Sequence, residues 1–244
     1  MIELTWMNQA VLGVVTLAVT VLSTAIGFGS AVLLIPIFAL VLPIKKTIAL
    51  LSVYFIFVTV TRAWLFRQRI DWDVVKRISM GAVPACLVGI TLMVWIPADH
   101  VQKALAIVIL LYLANELTGF TSARPLRLGR TGTMAVGTGY GFFSGLVGTG
   151  NPITAAFLLH MGMRKGAFVA NMAACSILLD VLKTMILAQQ GWLQPQDGGF
   201  LALLVVIGLI GTWLGRHLVD RIPVQTFKRL VFAMLALVAG KILI

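Results

Sequence analysis

Two glycine-containing clusters are the residues of this chain best suited to bind a ligand. Gly27-Phe28-Gly29-Ser30 and Gly148-Thr149-Gly150-Asn151 each interrupt a long apolar segment. Glycine lets the chain turn within such a segment, and a short helix beginning at Ser30 or Asn151 would direct free N–H groups and a positive dipole end at the turn. The predicted chemistry is therefore anion binding. The side chains of Ser30 and Asn151 can donate to the anion, or they can cap the short helices.

Two basic residues inside apolar segments, Arg62 and Lys183, could also bind an anion. A charge near the centre of a bilayer costs at least ~2.5 kcal/mol on insertion scales, so each needs a reason to be there. Arg62 lies near the end of its segment and can either neutralise a substrate or extend to the interface. Lys183 can bind a substrate or pair with Asp180, three residues earlier on the same helical face. Asn171, on the same predicted helix, is a further candidate for lining the pathway.

These candidate residues occupy matching positions of an internal repeat. A shift of 121 residues aligns the two glycine clusters and places Arg62 on Lys183. After about residue 70 the second half gains five residues, and a shift of 126 then aligns the small-residue pair Ala85/Gly89 with Gly211/Gly215. Pairs of this kind let helices approach closely in lipid. Repeats whose apolar segments are broken at matching positions indicate the binding site of a transporter.

The elements that position these residues are predicted to be membrane-spanning helices. The chain has 244 residues, of which 60% are hydrophobic and 11% charged, and its apolar runs are too long and uniform for barrel strands. Two of the runs exceed one span, and the glycine clusters divide each into a full-length piece and a short piece. The apolar runs cover residues 6–42, 47–66, 76–96, 101–119, 131–162, 166–187, 199–219 and 228–244.

The basic residues between the runs predict how the two halves are oriented. The connection 67–77 contains four Lys or Arg, whereas its repeat counterpart 188–198 contains none. The connection 97–103 contains one, whereas its counterpart 216–229 contains four. Under the positive-inside rule, connections 67–77 and 216–229 therefore lie in the cytoplasm, their counterparts lie outside, and both termini lie outside. Lys45 and Lys46 oppose the rule, because the same assignment places them outside.

The predicted fold class is accordingly an all-α polytopic membrane protein built from two inverted repeats. Each repeat consists of a Gly-broken helical hairpin followed by three transmembrane helices. Repeat one covers residues 1–120, a linker covers 121–130, and repeat two covers 131–244, all within a single membrane domain, 1–244.

The clusters and their surroundings resemble the TauE/SafE sulfite exporter family, also called the toluene-sulfonate uptake permease family. That family has a duplicated Gly-x-Gly-Gly-Gly motif followed by a proline, which Gly27-Phe28-Gly29-Ser30-Ala31 with Pro36 and Gly148-Thr149-Gly150-Asn151-Pro152 match in part. Ser30 and Asn151 stand where the family has its third glycine. The resemblance covers nearly the whole chain, and it implies transport of a small sulfur-containing anion such as sulfite, a sulfonate or sulfoacetate.

The expected activity is therefore a carrier, working by alternating access around a midplane site, in a bacterial inner membrane; the alternative is an anion-selective channel. An enzyme is not expected, because Ser144 lacks the small residue two positions earlier that an intramembrane serine protease would need. The three histidines have no metal-ligand spacing, so neither a metal nor a cofactor is predicted. The net charge of +11 lies mostly in the connections, which argues against nucleic acid. The expected partners are the anionic substrate, the lipid bilayer and a second copy in a homo-oligomer.

Overall fold

The computed structural model describes residues 6–118, 128–163 and 165–218, and the regular elements of these ranges are helical. Short 3-10 helices at Arg67–Arg69 and Pro195–Asp197 join longer ones. The predicted last run, 228–244, and most of the linker lie outside the described residues. The α-helices are α1 Trp6–Ile26, α2 Ser30–Ala39, α3 Ile44–Leu65, α4 Trp72–Trp95, α5 Ala98–Thr118, α6 Arg130–Val147, α7 Asn151–His160, α8 Lys165–Gln189 and α9 Gly198–Arg216.

The predicted break in each long apolar run is confirmed. The first run divides into α1, with 21 residues, and α2, with 10. The second divides into α6, with 18 residues, and α7, with 10. Gly27, Gly29 and Gly148 have φ values of 100°, 101° and 85°, where a side chain would be strained. Gly150 differs, with φ −129°; its Cβ would lie 2.2 Å from the carbonyl oxygen of Tyr140, so close packing requires glycine there.

Five segments of the described chain are long and apolar enough to cross a membrane. They include α1, α3, α4 and α8, and the segment Pro195–Arg216, which joins the second 3-10 helix to α9. Helices α2 and α7 are each about 15 Å long, roughly half a span, as expected of the short arms of broken hairpins. The all-helical polytopic fold class is therefore confirmed.

Closely packed helix pairs join the first half of the chain to the second. Helix α4 packs along α6, and α1 packs along α9. A Cβ at Gly89 of α4 would lie 2.3 Å from the carbonyl oxygen of Phe142, and a Cβ at Gly215 of α9 would lie 2.6 Å from that of Val21. Both glycines belong to the small-residue pairs singled out in the sequence, and they allow the close approach predicted there.

The packing of the helices repeats itself between equivalent pairs. Helix α3 lies against α8, its counterpart in the second half, and the pairs α4–α6 and α3–α9 have the counterparts α9–α1 and α8–α4. A Cβ at Gly27 would lie 2.8 Å from the Val169 side chain, and one at Gly148 would lie 3.1 Å from that of Ile48. Ile48 and Val169 are themselves related by the 121-residue shift. These relations are those expected of two equivalent halves, and the inversion of one half relative to the other stays a prediction.

One end of the bundle holds the first basic connection against the beginning of α8. The Asn171 amide donates to the carbonyl oxygens of Arg69 and Ala167 at 3.3 and 2.7 Å, and its Oδ1 accepts from the Asp71 N–H at 2.9 Å. Asp71 in turn caps α4 by accepting from the backbone N–H groups of Asp73 and Val74.

The opposite end of α3 contains the two lysines that oppose the charge rule, and both have partners there. Lys45 is 8% exposed, and its Nζ donates to the Val94 carbonyl oxygen at 2.9 Å, at the end of α4. The Lys46 Nζ lies 2.8 Å from an Asp197 carboxylate oxygen in the connection before α9. Both positive charges therefore have partners in the folded protein, one at a helix C-terminus and one in an ion pair, and the two lysines remain exceptions to the charge rule.

Candidate functional site

The two hairpin turns meet at a buried cavity between the halves of the chain. Gly27, Phe28 and Ser30 line it from the first turn, and Gly148 and Asn151 line it from the second. The remaining lining residues come from α2, α3, α6 and α8, and they include both basic residues predicted from the sequence. These remaining residues are Ala31, Phe55, Thr59, Arg62, Tyr140, Ser144, Met172, Ala173, Ser176, Asp180 and Lys183.

Arg62 points into the protein and does not extend to the interface. Its side chain is 4% exposed. Its Nε and Nη2 donate to Thr24 and Ser23 of α1 at 2.9 and 2.8 Å, and its Nη1 lies at a long 3.4 Å from the Ser30 hydroxyl. No carboxylate pairs with this guanidinium within the described residues. Hydroxyl groups solvate the charge without neutralising it, so Arg62 remains a buried cation.

Lys183 is arranged differently, although it occupies the equivalent position. Its Nζ lies 2.8 Å from an Asp180 carboxylate oxygen, and both side chains are buried. The same Nζ donates to the Gly148 carbonyl oxygen at 3.3 Å, which ties α8 to the second turn. Of the two roles open from the sequence, the structure therefore gives Lys183 an ion pair. The three charged side chains of the cavity, taken in their ordinary ionised forms, carry one net positive charge.

The two short helices begin at the cavity, but the capping role considered for Ser30 and Asn151 is wrong. The N-cap residues are Gly29 and Gly150, and neither helix has a side-chain capping hydrogen bond. Ser30 and Asn151 are the first helical residues, where a side chain cannot reach back to cap its own helix. Both line the cavity, so their side chains remain available to a ligand.

Thr149 lies in the second turn with an unused polar group. Its side chain is 2% exposed, and its Oγ1 has no hydrogen-bond partner among the described residues. A buried hydroxyl without a partner is unfavourable, and the same holds for Thr16, Thr154, Thr184 and Thr212. Thr149, Gly29 and Gly150 belong to the turns but do not line the cavity directly.

Asn171 is not among the residues that line this cavity, although the next two residues of α8, Met172 and Ala173, are. All the polar atoms of its amide are used to hold the connection after α3. We therefore assign Asn171 a structural role, outside the candidate site.

Several polar residues at the site were not among the sequence-based candidates. Ser23 and Thr24 contact Arg62, and the Tyr140 hydroxyl lies 2.9 Å from the Ser176 hydroxyl at the cavity wall. The usable signal was a series of hydroxyl residues in the otherwise apolar α1. These residues are Thr16, Thr20, Ser23 and Thr24, all fully buried.

The cavity is narrow. About 30 Å³ is open to the centre of a water-sized sphere, which is room for about one or two water molecules. Phe28 narrows it from the first turn, where its ring packs edge-on against Phe168 with centroids 5.9 Å apart. A ligand larger than water therefore requires the walls to move apart.

The two halves of this chain each contribute a broken helical hairpin, and the hairpins meet at a buried cationic cavity. These features are typical of the membrane transporter class. The chain belongs to the sulfite exporter TauE/SafE family, whose sequence profile matches residues 12–242. It is also 26% identical, over 237 residues, to the probable membrane transporter protein YjnA of Bacillus subtilis (strain 168). That alignment covers 88% of this chain and 91% of the relative. No solved structure matches the chain significantly. The protein is thus a membrane transporter and not an enzyme.

Proposed function

We propose that this transporter carries a small sulfur-containing oxyanion, with sulfite as the first candidate, through the cavity between the two hairpin turns. The observation that carries the proposal is Arg62, a buried guanidinium held by hydroxyl groups instead of a carboxylate. A buried charge without a counter-ion is unfavourable in a low-dielectric site. An anion entering the cavity supplies the missing counter-ion.

The hydrogen bonds of Arg62 leave donors for such an anion. Each of its three nitrogens contacts one hydroxyl group, so Nη1 and Nη2 each keep a second N–H. Charge-assisted bonds from a guanidinium to an oxyanion are short and about twice as strong as neutral ones. The backbone N–H groups at the beginnings of α2 and α7 add a favourable dipole on either side.

The size of the cavity favours the smallest members of the substrate class. Sulfite needs the least widening of a space that now holds one or two water molecules, whereas an aromatic sulfonate needs a much larger movement. The description of the family, sulfite exporter, supports sulfite as the first candidate.

The direction proposed is export. An inside-negative potential favours the exit of an anion by about 2.3 kcal/mol per charge for each 100 mV, so export requires no coupled ion. The cycle is alternating access, in which the walls that now close the cavity separate first towards one side of the membrane and then towards the other.

The test is counterflow in liposomes that contain the purified protein. Vesicles are preloaded with unlabelled sulfite and diluted, without oxygen, into a trace of labelled sulfite. A carrier gives a transient accumulation of label above equilibrium, whereas a channel gives none. Preloading with thiosulfate, sulfoacetate, taurine or benzenesulfonate then ranks the substrates. Protein-free vesicles are the control, and the absence of saturable flux for every sulfur oxyanion would reject the proposal.

A further inference from the structure

A second, wider cavity lies at the end of the bundle where α3 and α9 finish. It is open to the surface and about 350 Å³ in volume, measured in the same way as the buried cavity. Three arginines supply its charge, and their side chains are exposed. The lining residues are Leu65, Phe66, Arg67, Gln68, Arg69 and Arg216.

The three arginines are arranged to present positive charge to a ligand. No carboxylate pairs with any of them within the described residues. The Arg67 guanidinium lies 5.2 Å from the Trp64 ring centroid, and its Nη1 donates to the Trp64 carbonyl oxygen at 3.3 Å. Arg69 packs against Gly166, where a Cβ would lie 2.0 Å from its Nη1. Arg67 thus contacts Trp64 and Arg69 contacts Gly166, while both side chains remain exposed.

The surface beside this cavity is apolar and aromatic. Trp64 and Trp213 are 62% and 57% exposed, one turn or less from Arg67 and Arg216 respectively. Val60 and Ile210 continue the exposed apolar surface along the same two helices. Exposed tryptophan next to arginine is typical of the level of the membrane at which headgroups meet acyl chains. The cavity therefore opens at the height of lipid phosphates and borders the surface that lipid tails cover.

We propose that the cavity formed by Arg67, Arg69 and Arg216 binds the phosphate headgroup of an anionic phospholipid. Basic pockets between helices on the cytoplasmic side of a membrane bind such headgroups. A free oxyanion shares the phosphate chemistry, but it would gain nothing from the tryptophans and the apolar surface beside the cavity. This lipid site is separate from the buried transport cavity and does not depend on which anion is carried.

The experiment measures lipid retention by the full-length purified protein. Native mass spectrometry in mild detergent compares phosphatidylglycerol with phosphatidylethanolamine for the unaltered chain and for Arg67→Gln/Arg69→Gln/Arg216→Gln. The matched control is Lys76→Gln/Arg77→Gln/Lys165→Gln, which removes the same charge from exposed residues that do not line the cavity. Inorganic phosphate is added in a separate series, as the source of a free oxyanion.

The unaltered protein is expected to prefer phosphatidylglycerol, and the cavity variant to bind it at least tenfold more weakly, because it loses the charge-assisted hydrogen bonds that guanidinium groups make to a phosphate. The control is expected to lose little affinity. Equal losses in both variants would show diffuse electrostatic attraction and overturn the proposal. Displacement of the lipid by inorganic phosphate at similar affinity would overturn it in favour of a free-oxyanion site.

A second variant tests the proposal if the triple variant misfolds because Arg69 no longer contacts Gly166. Arg67→Gln/Arg216→Gln leaves that contact intact, and it is expected to weaken phosphatidylglycerol binding by roughly tenfold without changing the midpoint of thermal unfolding. Unchanged lipid binding in this double variant would also overturn the proposal.

Discussion

At the scale of single residues, the repeat-related pair Arg62 and Lys183 has taken two different roles. Thr59 stands in the first half where Asp180 stands in the second, so only Lys183 has an acid within reach on its own helix. Arg62 is left with hydroxyl partners and keeps its charge available. This difference predicts opposite effects of neutralising the two residues.

Replacing Arg62 is expected to affect binding more than stability. Arg62→Gln should weaken sulfite affinity by roughly 10- to 100-fold, because charge-assisted hydrogen bonds contribute about 1.5–3 kcal/mol. The thermal unfolding midpoint should stay the same or rise, since a buried unpaired charge is removed. Calorimetric binding and thermal unfolding measure the two effects. Arg77→Gln, at an exposed position outside the cavity, is the control, and unchanged affinity in Arg62→Gln would remove the basis of the proposed site.

Replacing Lys183 is expected to affect stability first. Lys183→Gln leaves the Asp180 carboxylate buried without its partner, and breaking such a pair costs about 3–5 kcal/mol. Asp180→Asn/Lys183→Gln removes both charges and should recover most of the lost stability. Thermal unfolding of the two variants beside the unaltered chain gives the comparison. If the double variant is as unstable as the single one, the pair is not what stabilises this part of α8.

The site was predictable from sequence only in part, for physical reasons. Glycines with positive φ are recognisable in the sequence because they interrupt long apolar runs, so the two turns and the beginnings of α2 and α7 could be located. Serine and threonine are a weaker indication of a polar site, because in apolar helices they commonly donate to the carbonyl oxygen four residues earlier, as Thr59 does to Phe55. The Ser23 and Thr24 hydroxyl groups beside Arg62 were therefore missed. The hydrogen bonds of Asn171 to the connection after α3 could not be predicted, because a helical position gives no indication of the partner.

At the scale of the elements, glycine determines how closely the spanning helices approach. Gly137, Gly141 and Gly145 of α6 each face a backbone carbonyl of α4, where a Cβ would lie 2.0–2.4 Å from the oxygen. The sequence indicated the small-residue pair on α4 but not this longer series on α6. Such close backbone contact is a main source of helix association in lipid, where apolar side chains gain nothing by leaving their surroundings.

Adding one methyl group at this contact is expected to separate α4 from α6. A Cβ at Gly141 would lie 2.0 Å from the Ala82 carbonyl oxygen, so Gly141→Ala should destabilise the protein by about 1–3 kcal/mol. Gly139→Ala is the matched control on the same helix, because its Cβ would meet only the Ile153 side chain, with Cδ1 at 3.6 Å and Cγ2 at 4.0 Å. The thermal unfolding midpoint of each variant in detergent is the measurement. Equal midpoints would show that α6 can shift without loss.

At the scale of the whole molecule, the contacts divide the chain into two ends. The connection after α3 contacts the beginning of α8 through Asn171, and Lys46 at the beginning of α3 contacts the connection after α8 through Asp197. Helix α3 is about 33 Å long, so these two sets of contacts lie a membrane thickness apart. Connections that correspond in the repeat therefore lie at opposite ends of the bundle.

Two glutamines related by the repeat test this arrangement in cells. Gln68 and Gln189 differ by 121 residues, both are exposed, and neither carries a charge that would alter orientation. In Gln68→Cys and Gln189→Cys, a membrane-impermeant maleimide should label position 189 in intact cells and position 68 only after permeabilisation. The native Cys86 and Cys175 are buried, so background labelling is low. Labelling of both positions from the same side would contradict the inverted repeat.

Helix α4 pairs with α6 and α1 pairs with α9, so the helices that pack most closely come from different halves of the repeat. The first and fourth helices of each half, α1 and α4 or α6 and α9, pack against the other half. Neither half is therefore a separate block that could move as a rigid body relative to the other. The blocks defined by tight backbone contact are α4 with α6 and α1 with α9, and each contains one helix from either half. If the walls of the cavity separate along the looser contacts between these two blocks, then each rigid body that moves during transport contains helices from both repeats. The moving body is then different from the duplicated sequence repeat.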